Sequence, residues 1–156
     1  MWPWRRQDPH GDASLPLTTR VPMSTSPQPL QLAVNGTLMR GLELNGNMHA
    51  AGATFLREAQ TAPIYRLWSI GDRYPAMQRV AADGVAIALE LWAVPPAGLI
   101  QILQQEPPGL TIGKVTLSGG ENVLGVLGEA IACGDQRDIT SWGGWREYQD
   151  WLQNQI

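Results

Sequence analysis

The sequence predicts an α+β domain. From Leu30 onward, short apolar runs of β character recur between turn signals, two later segments carry helical spacing, and no segment repeats internally. Many strands with two segregated helices point to a compact sheet or small mixed barrel of about six to seven strands with helices at its flank.

Residues 1–29 precede that pattern. They hold half of the chain's 12 prolines among scattered Ser and Thr, with no period of strand or helix and few large apolar residues to offset the entropy of ordering. A disordered Pro/Ser/Thr-rich tail is expected there, with the folded domain spanning 30–156. Met23 offers an alternative to Met1 as the start of translation.

Strands are expected near 30–35, 53–60, 64–70, 77–81, 85–93, 111–118 and 122–132. The first runs into Leu32-Ala33-Val34-Asn35-Gly36-Thr37-Leu38, where an apolar strand breaks at a glycine. Such a break either simply ends the strand or aims consecutive backbone N–H groups outward as an anion-binding nest. In Val85-Ala86-Ile87-Ala88-Leu89-Glu90-Leu91-Trp92 nearly every position is apolar, as in a central strand covered on both faces. Glu90 is then costly unless it is paired or lines a cavity. Ser118-Gly119-Gly120-Glu121-Asn122 is a hairpin turn, so the strands beside it should be antiparallel neighbours.

Pro95 and Pro96 suit a helix start. Leu99, Ile102 and Leu103 then form one apolar face before Pro107-Pro108-Gly109 ends the helix. A second helix is expected from Ser141, whose hydroxyl can cap, with Trp145, Tyr148 and Leu152 facing inward.

Composition narrows the function. A 156-residue chain that is 44% hydrophobic suits one domain of ordinary core size. A net charge of −3 gives no basic face for nucleic acid or an anionic membrane. With one cysteine, Cys133, and two histidines, His10 and His49, neither a disulfide framework nor a zinc site is expected, and no cofactor. No apolar run approaches the roughly 20 residues that span a bilayer, and a cytoplasmic location is expected.

Several stretches together resemble the C-terminal domain of allophanate hydrolase, a relative of the γ-glutamylcyclotransferase fold. They are Gly36-Thr37-Leu38-Met39-Arg40-Gly41-Leu42-Glu43-Leu44-Asn45, Thr61-Ala62-Pro63-Ile64-Tyr65-Arg66-Leu67, Ala88-Leu89-Glu90-Leu91-Trp92, Leu110-Thr111-Ile112-Gly113 and Asp138-Ile139-Thr140-Ser141-Trp142-Gly143-Gly144-Trp145. The last is the most specific. The resemblance covers about residues 31–152 and implies a small β-barrel flanked by helices. It also implies a stand-alone copy without the amidase domain that precedes this one in full-length allophanate hydrolase.

In the cyclotransferase relatives a Tyr-Gly-Ser-Leu turn after the first strand binds the substrate carboxylate, and a glutamate after the following helix is the general base. The resemblance places Asn35, Gly36, Thr37 and Leu38 at that turn and Glu106 at that glutamate. Asparagine here replaces tyrosine. Glu106 read on its own also fits a solvated helix end. Tyr65 and Arg66 are further substrate-binding candidates: Arg66 can clamp a carboxylate bidentately, or else lie on the outer face of a strand. Glu90 and Glu129 interrupt apolar strands and either line a cavity or form buried ion pairs, with Arg66 or Arg79 as partners. Trp142 and Trp145 wall a pocket or pack helix on sheet, and Cys133 reads as a small buried hydrophobe.

Three functions follow from the resemblance. The first is binding or processing of a small carboxylated metabolite of urea and allophanate nitrogen metabolism, in the manner of N-carboxycarbamate decarboxylation. The second is a γ-glutamylcyclotransferase-like amine transfer using Glu106. The third is a non-catalytic module that forms a homodimer or docks on a separately encoded amidase. Whether the chain is an enzyme stays open at this point.

Overall fold

A computed structural model describes residues 27–155. The expected tail over residues 1–29 and the alternative start at Met23 fall almost wholly outside the described residues. The described chain is α+β, with eight strands in two sheets and four helices.

The larger sheet has the order β2-β5-β1-β7-β6. Its centre is β1 (Leu30–Val34), antiparallel to β5 (Ala88–Val94) on one side and parallel to β7 (Asn122–Gly128) on the other. The apolar run of β5 is explained by this place: Leu89, Leu91, Trp92 and Val94 are all buried. Outside it lies β2 (Thr54–Gln60), an edge strand whose register shifts between Phe55 and Arg57. At the other edge, β6 (Leu110–Thr116) pairs with β7 as the expected antiparallel hairpin, and Gly120 supplies the turn's positive φ of 92°.

The second sheet has the order β4-β3-β8. Here β3 (Tyr65–Ile70) and β4 (Tyr74–Arg79) form a hairpin whose tip, Gly71 and Asp72, has φ of 57° and 59°. Two successive positive φ values are those of the tight turn whose twist matches the flanking strands. The short β8 (Arg137–Asp138) completes this sheet against Trp68 and Ser69.

The expected barrel does not close. The edge strands β2 and β6 converge at one end only, through a single bridge between Thr61 and Leu117 and the bonds Ala62 N–H to Thr116 O (3.0 Å) and Ser118 N–H to Gln60 O (2.9 Å). Pro63 follows at once and has no N–H to extend a ladder. The second sheet packs over the open side instead. There Gln78 Nε2 donates to Gly128 O (3.2 Å), and a side chain at Gly128 would collide with Ala76.

The expected helix after Pro95 is α2 (Pro96–Gln105), which ends at Glu106 ahead of Pro107. The C-terminal helix α4 (Trp145–Gln153) starts later than Ser141. Residues Thr140–Trp142 form a 3-10 turn ended by Gly143 at φ 74°, and the Thr140 hydroxyl is used by Leu67 N–H (2.9 Å). Two helices were not anticipated. One is α1 (Asn45–Ala50), which buries Met48. The other is α3 (Ala130–Cys133), which replaces the last residues of the strand expected over 122–132. No described helix is long and apolar enough to cross a membrane.

Candidate functional site

The turn after β1 is built from inside out. Asn35 is buried, and its amide donates to Val126 O (3.2 Å) and Met77 Sδ (3.6 Å), which fixes the strand end to β7 and β4. Gly36 lies under Pro75: a β-carbon at position 36 would stand 2.5 Å from Pro75 Cδ and 2.7 Å from Cγ. The carbonyls of the turn are used, Gly36 O by Met39 N–H (3.0 Å), Thr37 O by Leu44 N–H (2.9 Å) and Leu38 O by the Asn45 amide (2.9 Å). The amides of Gly36, Thr37 and Leu38 take no acceptor among the described residues. Three consecutive N–H groups left over in a mostly buried turn make an acceptor-seeking nest.

Glu106 meets this turn. Asn35, Gly36, Thr37, Leu38, Tyr74, Pro75 and Glu106 line one small cavity of about 20 Å³, room for little more than a water-sized group. Thr37, Tyr74 and Glu106 also line an adjacent open groove of about 540 Å³. Burial pushes the Glu106 carboxyl up from its ordinary 4.5 to about 7. Near neutral pH it is therefore present both as acid and as base.

The other sequence candidates lie elsewhere. Tyr65 is fully buried, and its hydroxyl accepts from Arg79 Nη2 (3.0 Å) and Thr116 N–H (2.9 Å), joining the two sheets. Arg66 ties β3 to β8 through Asp138, with Nη2 to Oδ2 at 2.7 Å. Neither lines the cavity or the groove. His49 rests edge-on against Trp92. Cys133 is buried and its thiol is pushed up by burial. Glu129 precedes α3 and interrupts no strand.

Glu90 is 2% exposed and paired, though not with Arg66 or Arg79. Its carboxylate accepts from Arg40 N–H (2.9 Å), Arg40 Nε (3.1 Å), Trp92 Nε1 (3.2 Å) and Arg146 Nη2 (3.2 Å). Burial alone would raise its pKa, but these donors together hold it below the ordinary value. Through Arg40 it anchors the segment that follows the nest. It also borders a separate open depression of about 440 Å³ with Trp145 and Arg146.

Sequence reading did not find Tyr74 and Pro75, which wall the cavity, or the network behind them. In that network Tyr148 Oη donates to Asp72 Oδ1 (2.5 Å), as does Ser69 Oγ (2.8 Å), and both hold Asp72 below its ordinary pKa. The available signal was the Gly71-Asp72 pair, a tight-turn dipeptide just ahead of Tyr74-Pro75. Among the described residues no group of three or more His, Cys, Asp or Glu is placed to hold a metal.

Fold and site together define a small α+β domain with a turn of unused amides and a titratable carboxyl at one cavity. The chain belongs to the allophanate hydrolase C-terminal domain family, whose description matches residues 30–150. It is 30% identical over 133 residues to a urea amidolyase of Lachancea kluyveri, a match that covers 81% of this chain and 7% of that protein. The chain therefore spans a small fraction of the curated relatives' length. Among solved structures, the uropathogenic E. coli-specific protein c4763 is 52% identical with a TM-score of 0.77, covering 78% of this chain and 95% of that one. Kluyveromyces lactis allophanate hydrolase is 30% identical with a TM-score of 0.76, over 80% of this chain and 22% of that one. An AIG2-like protein from Mus musculus shares the fold at 18% identity and a TM-score of 0.54, over 70% of this chain and 82% of that one.

Proposed function

We propose that this domain binds and processes a small N-carboxylated compound of urea and allophanate nitrogen metabolism. The carboxylate sits on the Gly36, Thr37 and Leu38 amides, and the nitrogen that bears it faces Glu106. One observation carries the reading: three consecutive unused amides and a carboxyl with a pKa of about 7 line the same cavity. Amides bind a carboxylate without a cationic side chain and fix its orientation.

The chemistry resembles N-carboxycarbamate decarboxylation. As the carbon–nitrogen bond breaks, the bonding pair stays on nitrogen and takes the proton of Glu106, the carboxylate departs as CO2, and Glu106 regains a proton from solvent. A pKa near the working pH suits an acid that must deliver and recover a proton in each turnover. The test uses the product of an isolated allophanate amidase as substrate. Release of CO2 and ammonia should quicken when this chain is added and fall back with Glu106→Gln. A rate equal to spontaneous decomposition rejects the reading.

The place of Glu106 on the cavity also favours a second reading, amine transfer as in the γ-glutamylcyclotransferases with Glu106 as base. That reading requires release of 5-oxoproline from γ-glutamyl substrates, abolished in Glu106→Gln. No release from the unaltered chain excludes it.

A further inference from the structure

One ionic cluster grips the backbone at Arg40 from both sides. The Arg40 N–H donates to Glu90 Oε1 (2.9 Å), and the Arg40 carbonyl accepts from Arg146 Nη2 (2.6 Å). Glu90 Oε2 receives both guanidiniums, Arg40 through Nε (3.1 Å) and Arg146 through the same Nη2 (3.2 Å). Bonds to a buried carboxylate hold their geometry more strictly than an exposed pair does. The other bonds behind the amide turn, Gly36 O with Met39 N–H, Thr37 O with Leu44 N–H and Leu38 O with the Asn45 amide, all stay within residues 36–45. Among the described residues, every hydrogen bond from that segment to a strand or to α4 is made at Arg40.

We infer that Glu90 and Arg146 are positioning residues of the carboxylate site: they hold the Arg40 peptide so that the Gly36, Thr37 and Leu38 amides are directed into the cavity before a ligand arrives. The inference rests on the carboxylate site proposed above and adds what preorganises it. Neither Glu90 nor Arg146 lines the cavity or the groove. Their effect on a ligand therefore passes through Arg40. A turn released from this grip has to be ordered by the ligand itself, and that entropy is subtracted from binding.

Acetate titration of the whole chain, read at the amide resonances of Gly36, Thr37 and Leu38, tests it. The Arg146 side chain is partly exposed, so Arg146→Ala leaves the core in place. In that variant acetate affinity should fall about tenfold, the cost of ordering about one residue of backbone, and the three resonances should already be displaced in the free chain. Arg146→Lys should recover part of the affinity, because an ammonium can serve both acceptors as one guanidinium nitrogen does here. Glu90→Gln, nearly the same shape, should weaken acetate as well. Arg57→Ala removes the same charge from the exposed pair with Glu121 and should leave acetate binding unchanged. Unchanged affinity in both Arg146→Ala and Glu90→Gln, a loss matched by Arg57→Ala, or equal losses in Arg146→Ala and Arg146→Lys overturns the positioning role while the carboxylate site stands. If acetate does not bind the unaltered chain, the carboxylate site fails and the inference with it.

Discussion

Replacing Glu106 by Gln should stabilise the protein at alkaline pH. Burial holds the carboxyl protonated up to about 7 in the folded chain, against an ordinary value of 4.5. Between those two values the folded state keeps a proton that the unfolded chain has released, so stability falls as pH rises through about 7. At about 1.4 kcal/mol per pH unit, the gap between 4.5 and about 7 corresponds to about 3 kcal/mol of lost stability. Glutamine has nearly the same shape and never ionises. Above pH 7 the variant should therefore be more stable than the native chain by about 3 kcal/mol, and at 4.5 the two should be nearly equal. Urea unfolding across this range reads the difference directly, because the other titrating groups are common to both chains. With a slope of about 2 kcal/mol per molar urea, the midpoint shift at high pH is about 1.5 M. A difference that does not change with pH refutes the claim that Glu106 is held in a desolvated site. The same substitution should remove activity, as expected where a site holds a destabilising group for its function.

Glu90→Gln should show the opposite pH signature. Its carboxylate is held below 4.5, so its contribution is present above that value and lost as pH falls through the lowered one. The variant should be less stable by about 1–3 kcal/mol at neutral pH, with the deficit vanishing in acid urea titrations. Gly36→Ala places a β-carbon 2.5 Å from Pro75 Cδ. It should cost about 1–3 kcal/mol in thermal or urea unfolding, and an unchanged midpoint would mean that Pro75 does not seal the turn. Tyr148 is fully buried, and burial with Asp72 beside it pushes its phenol upward. Tyr148→Phe should remove from an alkaline absorbance titration a phenol that ionises above the ordinary value of 10, and loss of one that ionises at or below that value would contradict the Asp72 bond.

Strong local patterns carried most of the fold into the sequence. The β5 run is legible because both its faces are covered, the β6–β7 hairpin because of Gly119-Gly120, and α2 because prolines bracket it. What escaped was short or held from afar. The six-residue helix α1 contains Gly46 and is fixed by burial of Met48 and by the bond of Asn45 to Leu38 O, since helices of that length do not persist on propensity. Two-residue β8 is too brief to show a period. The barrel was expected to close, yet closure depends on whether two edge strands remote in sequence form a ladder, and Pro63 stops β2 from doing so.

The candidate site was legible in the same uneven way. Asn35 to Leu38 could be placed by a strand that breaks at glycine, and Glu106 by the family resemblance, and the structure brings them to one cavity. Tyr65 and Arg66 lie away from it because their polar atoms join strands and sheets, a demand visible only once those partners are in place. The arginines that satisfy Glu90 stand 50 and 56 residues from it, beyond the reach of local pattern.

If the Gly36–Leu38 turn and Glu106 form one carboxylate site, amide-resolved NMR of the labelled chain during titration with acetate will show it. The N–H resonances of Gly36, Thr37 and Leu38 should move together downfield with a single saturation curve, and the pKa of the Glu106 carboxyl should rise as the second negative charge arrives beside it. If those three amides stay in place while others move, or if Glu106 titrates identically with and without acetate, the site does not exist as described.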